Sequence, residues 1–342
     1  MSVSAITYGL SGPTLTPDEK AFFRDADPWG FTLFQRNIDR PGQVRALTDA
    51  LRDLLGRNAP IFIDQEGGRV QRFKPPVWRA APPAARFGAL HDREPQAALE
   101  AVRLNHQLLG AELIATGVDV DYAPCADLSV PGAHDVIGDR AFHSDPSVVA
   151  ALSSAALDGL LDQGVLGVIK HLPGHGRAGV DSHHDLPVVD AERGALEAGD
   201  FAAFAGIEGA LMAMTAHVVY ADIDGDEPAT CSRAVISSVI RAAIGFDGLL
   251  MTDDLSMKAL RGDLRSRGER AVNAGCDLLM HCNGALEEMV AVAHAAPALA
   301  GRARERAEAA LAARRAPAAL DVDDAVRRLD RLFTDAGLEP VS

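Results

Sequence analysis

The chain has 342 residues, 48% of them hydrophobic and 24% charged, which is ordinary for a globular protein able to bury a large core. Its 33 basic and 48 acidic residues leave a net charge of −15. That argues against nucleic acid or an anionic membrane as the main partner, because phosphate binding needs clustered Lys and Arg.

Short apolar runs recur along the chain at 5–8, 30–34, 61–63, 118–122, 165–169, 210–214, 248–251 and 276–280. Segments of helical period lie between them, as at 98–115, 147–162 and 232–243. Eight strands alternating with helices predict a (β/α)8 barrel, and several runs end abruptly in polar residues. Ile63 precedes Asp64, Ile169 precedes Lys170 and His171, and Met251 precedes Thr252, Asp253 and Asp254. In barrels of this type the chemistry sits at the C-terminal ends of the strands. A doubly wound open sheet is the alternative, but Gly9-Leu10-Ser11-Gly12 is a poor match to a phosphate-binding turn. The proline-rich stretch 73–91 reads as a long ordered loop. Helices from about residue 284 onward are expected to pack on the barrel, giving a single domain over 1–342.

Cys125, Cys231, Cys276 and Cys282 show neither CxxC pairing nor zinc-ribbon spacing, so buried free thiols are expected. The sequence shows no basic-then-apolar leader and no run near the roughly 18 apolar residues of a membrane span. The expectation is a cytoplasmic monomer acting on a small molecule.

Three segments carry candidate chemistry. Residues 170–185 concentrate Lys, Gly, Asp and four of the 11 histidines directly after an apolar run. Within it, Asp181 and His183 are two apart, so an extended backbone projects them to one side. The carboxylate can then fix the tautomer of the imidazole and raise its proton affinity, as suits a general acid. A plain surface histidine is the alternative. Asp253 and Asp254 end the seventh apolar run; one can face a barrel mouth while the other caps the next turn, or both can be caps. Asp64 leaves the third run, where a carboxylate can accept from two hydroxyls at once. Glu66 and Arg69 can brace the same loop as an ion pair, Arg72 is a ligand contact or a surface charge, and Arg140 can pair with Asp139 or Asp135. A metal site built on His171, His175, His183 and His184 is the rival use of the histidines. Pro173 and Gly174 spoil the helical spacing that such a site needs, and no HExxH is present, so no metal and no cofactor is expected. His175 alone reads as a structural residue bonded to loop backbone.

Five segments, taken together and in order, resemble the family 3 glycoside hydrolases, specifically the bacterial cytoplasmic β-N-acetylhexosaminidases of cell-wall recycling. They are Asp64-Gln65-Glu66-Gly67-Gly68-Arg69-Val70-Gln71-Arg72, Ile137-Gly138-Asp139-Arg140-Ala141-Phe142, Lys170-His171-Leu172-Pro173-Gly174-His175-Gly176, Asp181-Ser182-His183 and Thr252-Asp253-Asp254-Leu255-Ser256-Met257. The resemblance implies Asp253 as nucleophile, His183 as acid/base with Asp181 as its partner, and Asp64, Arg72, Arg140, Lys170 and His171 as ligands of an N-acetylglucosamine unit. It implies N-acetylglucosaminyl-1,6-anhydro-N-acetylmuramic acid, with or without peptide, as substrate. Leu172 stands where Phe is frequent in the family, and Arg177-Ala178-Gly179-Val180 is individual to this chain. A β-glucosidase, a phosphorylase, a metal-dependent hydrolase on the same barrel and a sugar-binding protein are the alternative functions.

Overall fold

The computed structural model describes residues 2–183 and 185–341. Eight parallel strands form the centre: β1 (Ser4–Gly9), β2 (Pro28–Leu33), β3 (Ile61–Ile63), β4 (Val120–Asp121), β5 (Leu166–Leu172), β6 (Met212–Thr215), β7 (Leu249–Met251) and β8 (Leu279–His281). They bond in the order β7-β6-β5-β4-β3-β2-β1-β8. A parallel bridge between Met251 and Leu278 brings the two ends of the sheet together. Asp277 N donates to Leu250 O beside it at 2.8 Å. The architecture is the expected (β/α)8 barrel.

The strands read as continuous apolar runs because both faces are buried. Alternate side chains separate into two cores. Phe62, Val120, Leu166, Val168, Met212, Leu249 and Leu278 pack with one another in one cluster. Ile61, Ile63, Val165, Ile169, Ala213, Leu250 and Leu279 join the helices in the other. The first cluster is the barrel interior and the second the layer between strands and helices. Phe62 stacks on Tyr122 with ring centroids 5.2 Å apart, next to the inner ends of the strands. Each such side chain stabilises the fold by roughly 1.5–3 kcal/mol through burial.

Helix boundaries follow local chemistry. The helix expected over 98–115 begins at Pro95, a residue suited to the first turn. The one expected over 147–162 begins at Pro146, with the Asp145 carboxylate accepting from Ser147 N. The segment expected over 232–243 is helical from Arg233 to Ala243, with the Ser232 hydroxyl capping Val235 N at 3.0 Å. The run at 276–280 bonds to β7 from Asp277 onward but not at Cys276, whose N is taken by Ala271 O at the end of the preceding helix. The stretch 73–91 is not all loop: Ala84–His91 is a helix entered from Pro83. The C-terminal helices are Leu286–Ala293, Gly301–Ala312 and Val322–Asp335. Ala307 and Ala310 join the inner core, and Phe333 meets Phe87 edge-on at 5.6 Å. Among the described residues no helix is long and apolar enough to cross a membrane.

Candidate active site

The strand ends surround a cavity of about 160 Å³ lined by Asp64, Arg72, Arg140, Lys170, His171, His183 and Asp253, with Phe34, Tyr122, Met214, Met257 and Met280 as its apolar wall. Seven of the eight expected site residues therefore meet in one place. The eighth, Asp181, stands behind His183: His183 Nδ1 donates to Asp181 Oδ1 at 2.8 Å, and His183 N donates to the same oxygen at 2.9 Å. The His183 side chain is 64% exposed, so its pair with Asp181 hangs at the mouth of the cavity and not in its floor.

The floor is an alternating chain of charges. Asp64 accepts from Arg72 at 2.9 Å and from Lys170 Nζ at 2.9 Å. Lys170 Nζ also contacts Glu66 Oε1 at 2.6 Å. Glu66 then receives a two-pronged grip from Arg140, at 2.8 and 2.9 Å. Lys170 is only 2% exposed. Burial opposes ionisation of both carboxyls, yet the cations prevail: Lys170 and Arg72 hold Asp64 well below the usual carboxylate range, and Arg140 and Lys170 hold Glu66 at about 2. For Lys170, burial is likewise outweighed by Asp64 and Glu66, so its ammonium is held charged well above its ordinary range. The network presents fixed donors and a carboxylate to whatever enters, which suits a polyhydroxylated ligand.

Two of the sequence readings change here. Glu66 pairs with Arg140 and Lys170 rather than with Arg69. Arg69 instead binds Asp139 and the carbonyls of Asp135, Val136 and Ile137, pinning that loop to the Gln65–Gly67 and Val70–Gln71 hairpin. Arg140 accordingly pairs with neither Asp139 nor Asp135.

Asp253 and Asp254 both line the cavity. Asp254 accepts from Ser256 N at 3.0 Å, Ser256 Oγ at 2.6 Å and Cys282 N at 3.1 Å, bracing the turn. Asp253 faces the cavity. Burial opposes its ionisation, but His217, His171 and His183 keep its carboxyl below the ordinary value. His217 Nε2 also holds Asp254 O at 3.0 Å, which fixes the backbone next to Asp253.

The histidines do not converge on a common point. His171 Nδ1 donates to Asp127 at 2.7 Å, His175 Nε2 meets Ser182 Oγ at 3.2 Å, and His183 turns to Asp181. His175 thus bonds a side-chain hydroxyl through its ring, not loop backbone. His184 lies outside the described residues. A different trio, Cys125, Asp127 and His171, places ligand atoms within 4.8 Å of one another. Its thiol and ring both donate to the Asp127 carboxylate, which makes it a satisfied hydrogen-bond cluster.

Comparison with known proteins gives the family. Residues 18–316 match the model of the glycosyl hydrolase family 3 N-terminal domain. The chain belongs to glycoside hydrolase family 3. It is 41% identical to a β-hexosaminidase of Bordetella parapertussis over 282 residues, covering 81% of this chain and 79% of the relative. It is also 41% identical to a β-hexosaminidase of Alkalilimnicola ehrlichii over 290 residues, covering 83% and 82%. The crystal structure of NagZ from Neisseria gonorrhoeae in complex with N-trifluoroacetyl-D-glucosamine superposes with a TM-score of 0.84 at 30% identity, covering 98% of both chains. This family 3 member is therefore a glycoside hydrolase.

Sequence reasoning missed Glu66 and Asp127 as members of the site. Glu66 was visible only as a loop-bracing charge. Asp127 follows the fourth apolar run within Cys125-Ala126-Asp127, with no local pattern to mark it. Asp121, at the end of β4, was missed as well. Its carboxyl is buried beneath this network, Oδ1 accepts from Gln65 N at 2.9 Å, and burial pushes its pKa up to about 8.

Proposed function

We propose that this chain is a retaining β-N-acetylhexosaminidase. It removes non-reducing β-linked N-acetylglucosamine from peptidoglycan fragments, with N-acetylglucosaminyl-1,6-anhydro-N-acetylmuramic acid, with or without peptide, as substrate. We place it in the cytoplasm as a single-domain monomer of the cell-wall recycling route. The observation that carries the reading is that Asp253 and the Asp181-bound His183 line one cavity whose floor is the Asp64–Lys170–Glu66–Arg140 network. The four cysteines are free and buried, which suits a reducing compartment.

The mechanism is a double displacement. Asp253, kept ionised by its histidine neighbours, attacks the anomeric carbon, and its oxygen forms the new bond as the glycosidic C–O bond breaks. His183 donates the Nε2 proton to the leaving oxygen while Nδ1 stays on Asp181. Water then attacks the glycosyl-enzyme, giving its proton back to His183, and Asp253 leaves. Asp64, Arg72, Arg140, Lys170 and His171 take the hydroxyls and the acetamido group of the sugar. An imidazole replaces one of the two carboxyls that retaining enzymes ordinarily hold about 5–5.5 Å apart. The Asp181 carboxylate occupies Nδ1, so Nε2 is the nitrogen that serves the leaving oxygen.

The test uses an aryl β-N-acetylglucosaminide bearing a ring fluorine that slows hydrolysis of the intermediate. Mass spectrometry should find the sugar on the peptide that contains Asp253. The Asp253→Ala variant should lose nearly all turnover and still bind N-acetylglucosamine. Label on another residue, or near-normal turnover by that variant, would refute the assignment.

A further inference from the structure

We propose that Asp127 is a positioning residue that couples the two histidines of the site: it sets the tautomer of His171 and anchors the base of the loop that carries Asp181 and His183. The inference rests on the hydrolase reading above for its catalytic consequence, but its structural content stands by itself.

Asp127 is fully buried, yet its carboxylate meets only donors. His171 Nδ1 donates to Oδ2 at 2.7 Å, His175 N donates to Oδ1 at 2.6 Å, and His171 N lies 3.3 Å from both oxygens. The Cys125 thiol adds a fourth donor at 3.3 Å. A protonated carboxyl would set an O–H against an N–H, so the site is built for the anion. Burial opposes that charge, but His171 and His175 outweigh it.

The placement of these donors matters in two ways. The first concerns His171, which lines the cavity. With a proton held on Nδ1, its other nitrogen, Nε2, is the one left for the ligand. The second concerns the loop. His175 is held by its backbone at Asp127 and reaches Ser182 Oγ with its ring at 3.2 Å. Ser182 stands between Asp181 and His183. Tyr220 Oη donates to Gly174 O at 2.7 Å, and a Cβ on Gly176 would collide with Leu128 O. The base of the loop is therefore flush against the backbone next to Asp127. A Cβ on Gly179, by contrast, would meet open space. One carboxylate thus ties the ring that faces the sugar to the root of the limb that bears the proton donor.

Asp127→Asn keeps the shape and removes the symmetry. A carboxamide has one acceptor oxygen, so its NH2 must face either His171 Nδ1 or His175 N. The first arrangement moves the His171 proton to Nε2; the second frees the loop base. With an aryl β-N-acetylglucosaminide, kcat/KM should fall about 10- to 100-fold, the range for losing hydrogen bonds to a charged group. Nitrogen-15 NMR of histidine-labelled wild-type protein, free of ligand, should show His171 protonated at Nδ1. The Asn variant should show either that proton moved or faster amide hydrogen exchange over residues 175–183. Ser182→Ala cuts the far end of the link, so it should lower kcat with KM and the His171 tautomer unchanged. A wild-type His171 with a bare Nδ1 overturns the proposal whether or not any variant folds. So does a folded Asn variant with wild-type kcat/KM, tautomer and exchange, or wild-type kcat in Ser182→Ala. If the wild-type protein turns over no glycoside, the hydrolase reading fails, and the NMR and exchange results still decide the positioning role.

Discussion

Glu66→Gln tests whether the charged floor is a built unit. The side chain keeps its shape and loses its charge between Lys170 at 2.6 Å and Arg140 at 2.8 Å. Arg72, Lys170 and Arg140 would then share Asp64 as the remaining carboxylate of the chain. The Glu66 carboxyl is lowered from its ordinary 4.5 to about 2, and it is almost fully buried. A folded-state value below the unfolded one contributes stability above the unfolded value, and that contribution is lost as pH falls through the folded value. A difference of 2.5 units corresponds to roughly 3 kcal/mol at pH 7. Breaking a buried ion pair by removing one partner costs about 3–5 kcal/mol, so two independent routes agree. Gln imitates the protonated acid, so the gap between wild type and variant should narrow to roughly 2 kcal/mol by pH 3.5. At about 2.1 cal/mol/K of unfolding entropy per residue, 3 kcal/mol lowers Tm by about 4 °C for a chain of this length. Urea melts of both proteins at pH 7 and pH 3.5 measure the gap, and KM for the aryl glycoside should rise because Lys170 and Arg140 lose a common anchor. A gap below about 1 kcal/mol at pH 7, or one that does not change with pH, would refute the reasoning.

Other expectations are equally direct. His183→Ala should slow glycosides with poor leaving groups by about 10²–10⁴-fold and activated aryl glycosides far less, since only the former need a proton on departure; equal losses would remove His183 from that role. Asp121→Asn should stabilise the protein at pH 8 more than at pH 4, because the folded carboxyl holds its proton up to about pH 8 while the unfolded one releases it near 3.8, so wild-type stability falls between those values. Melts at the two pH values with no such divergence would mean that Asp121 is ionised in the folded protein. Turnover of an aryl β-N-acetylglucosaminide should exceed that of the matched β-glucoside and survive a chelator; abolition by chelator would turn attention to the Cys125, Asp127 and His171 trio.

Much of the barrel was legible because parallel strands buried on both faces are apolar throughout and stop where the chain meets the ligand. The ends of these elements were less so. The helix after Ser232 begins where that hydroxyl caps Val235 N, and the last strand begins to bond at Asp277 because a helix end has already taken Cys276 N. Both are choices between neighbouring hydrogen-bond partners of similar energy, which an apolar pattern does not record. The helix Ala84–His91 was hidden by the prolines that precede it.

By itself, the sequence determined some of the relations between near neighbours. Asp181 and His183 are paired across a tight turn that their two-residue spacing allows, and Asp254 braces the turn after the seventh strand. Tertiary structure alone decided the partners across the barrel mouth. Lys170 reaches Asp64 over 106 positions, Arg140 reaches Glu66 over 74, and His171 reaches Asp127 over 44. Arg140 had a nearer acid to choose in Asp139. What selects among them is closure of the strands into a ring, which carries the ends of β3, β4 and β5 to adjacent places and buries the charges together. Burial then makes each wrong pairing costly, so the network has one arrangement where the local sequence offered several.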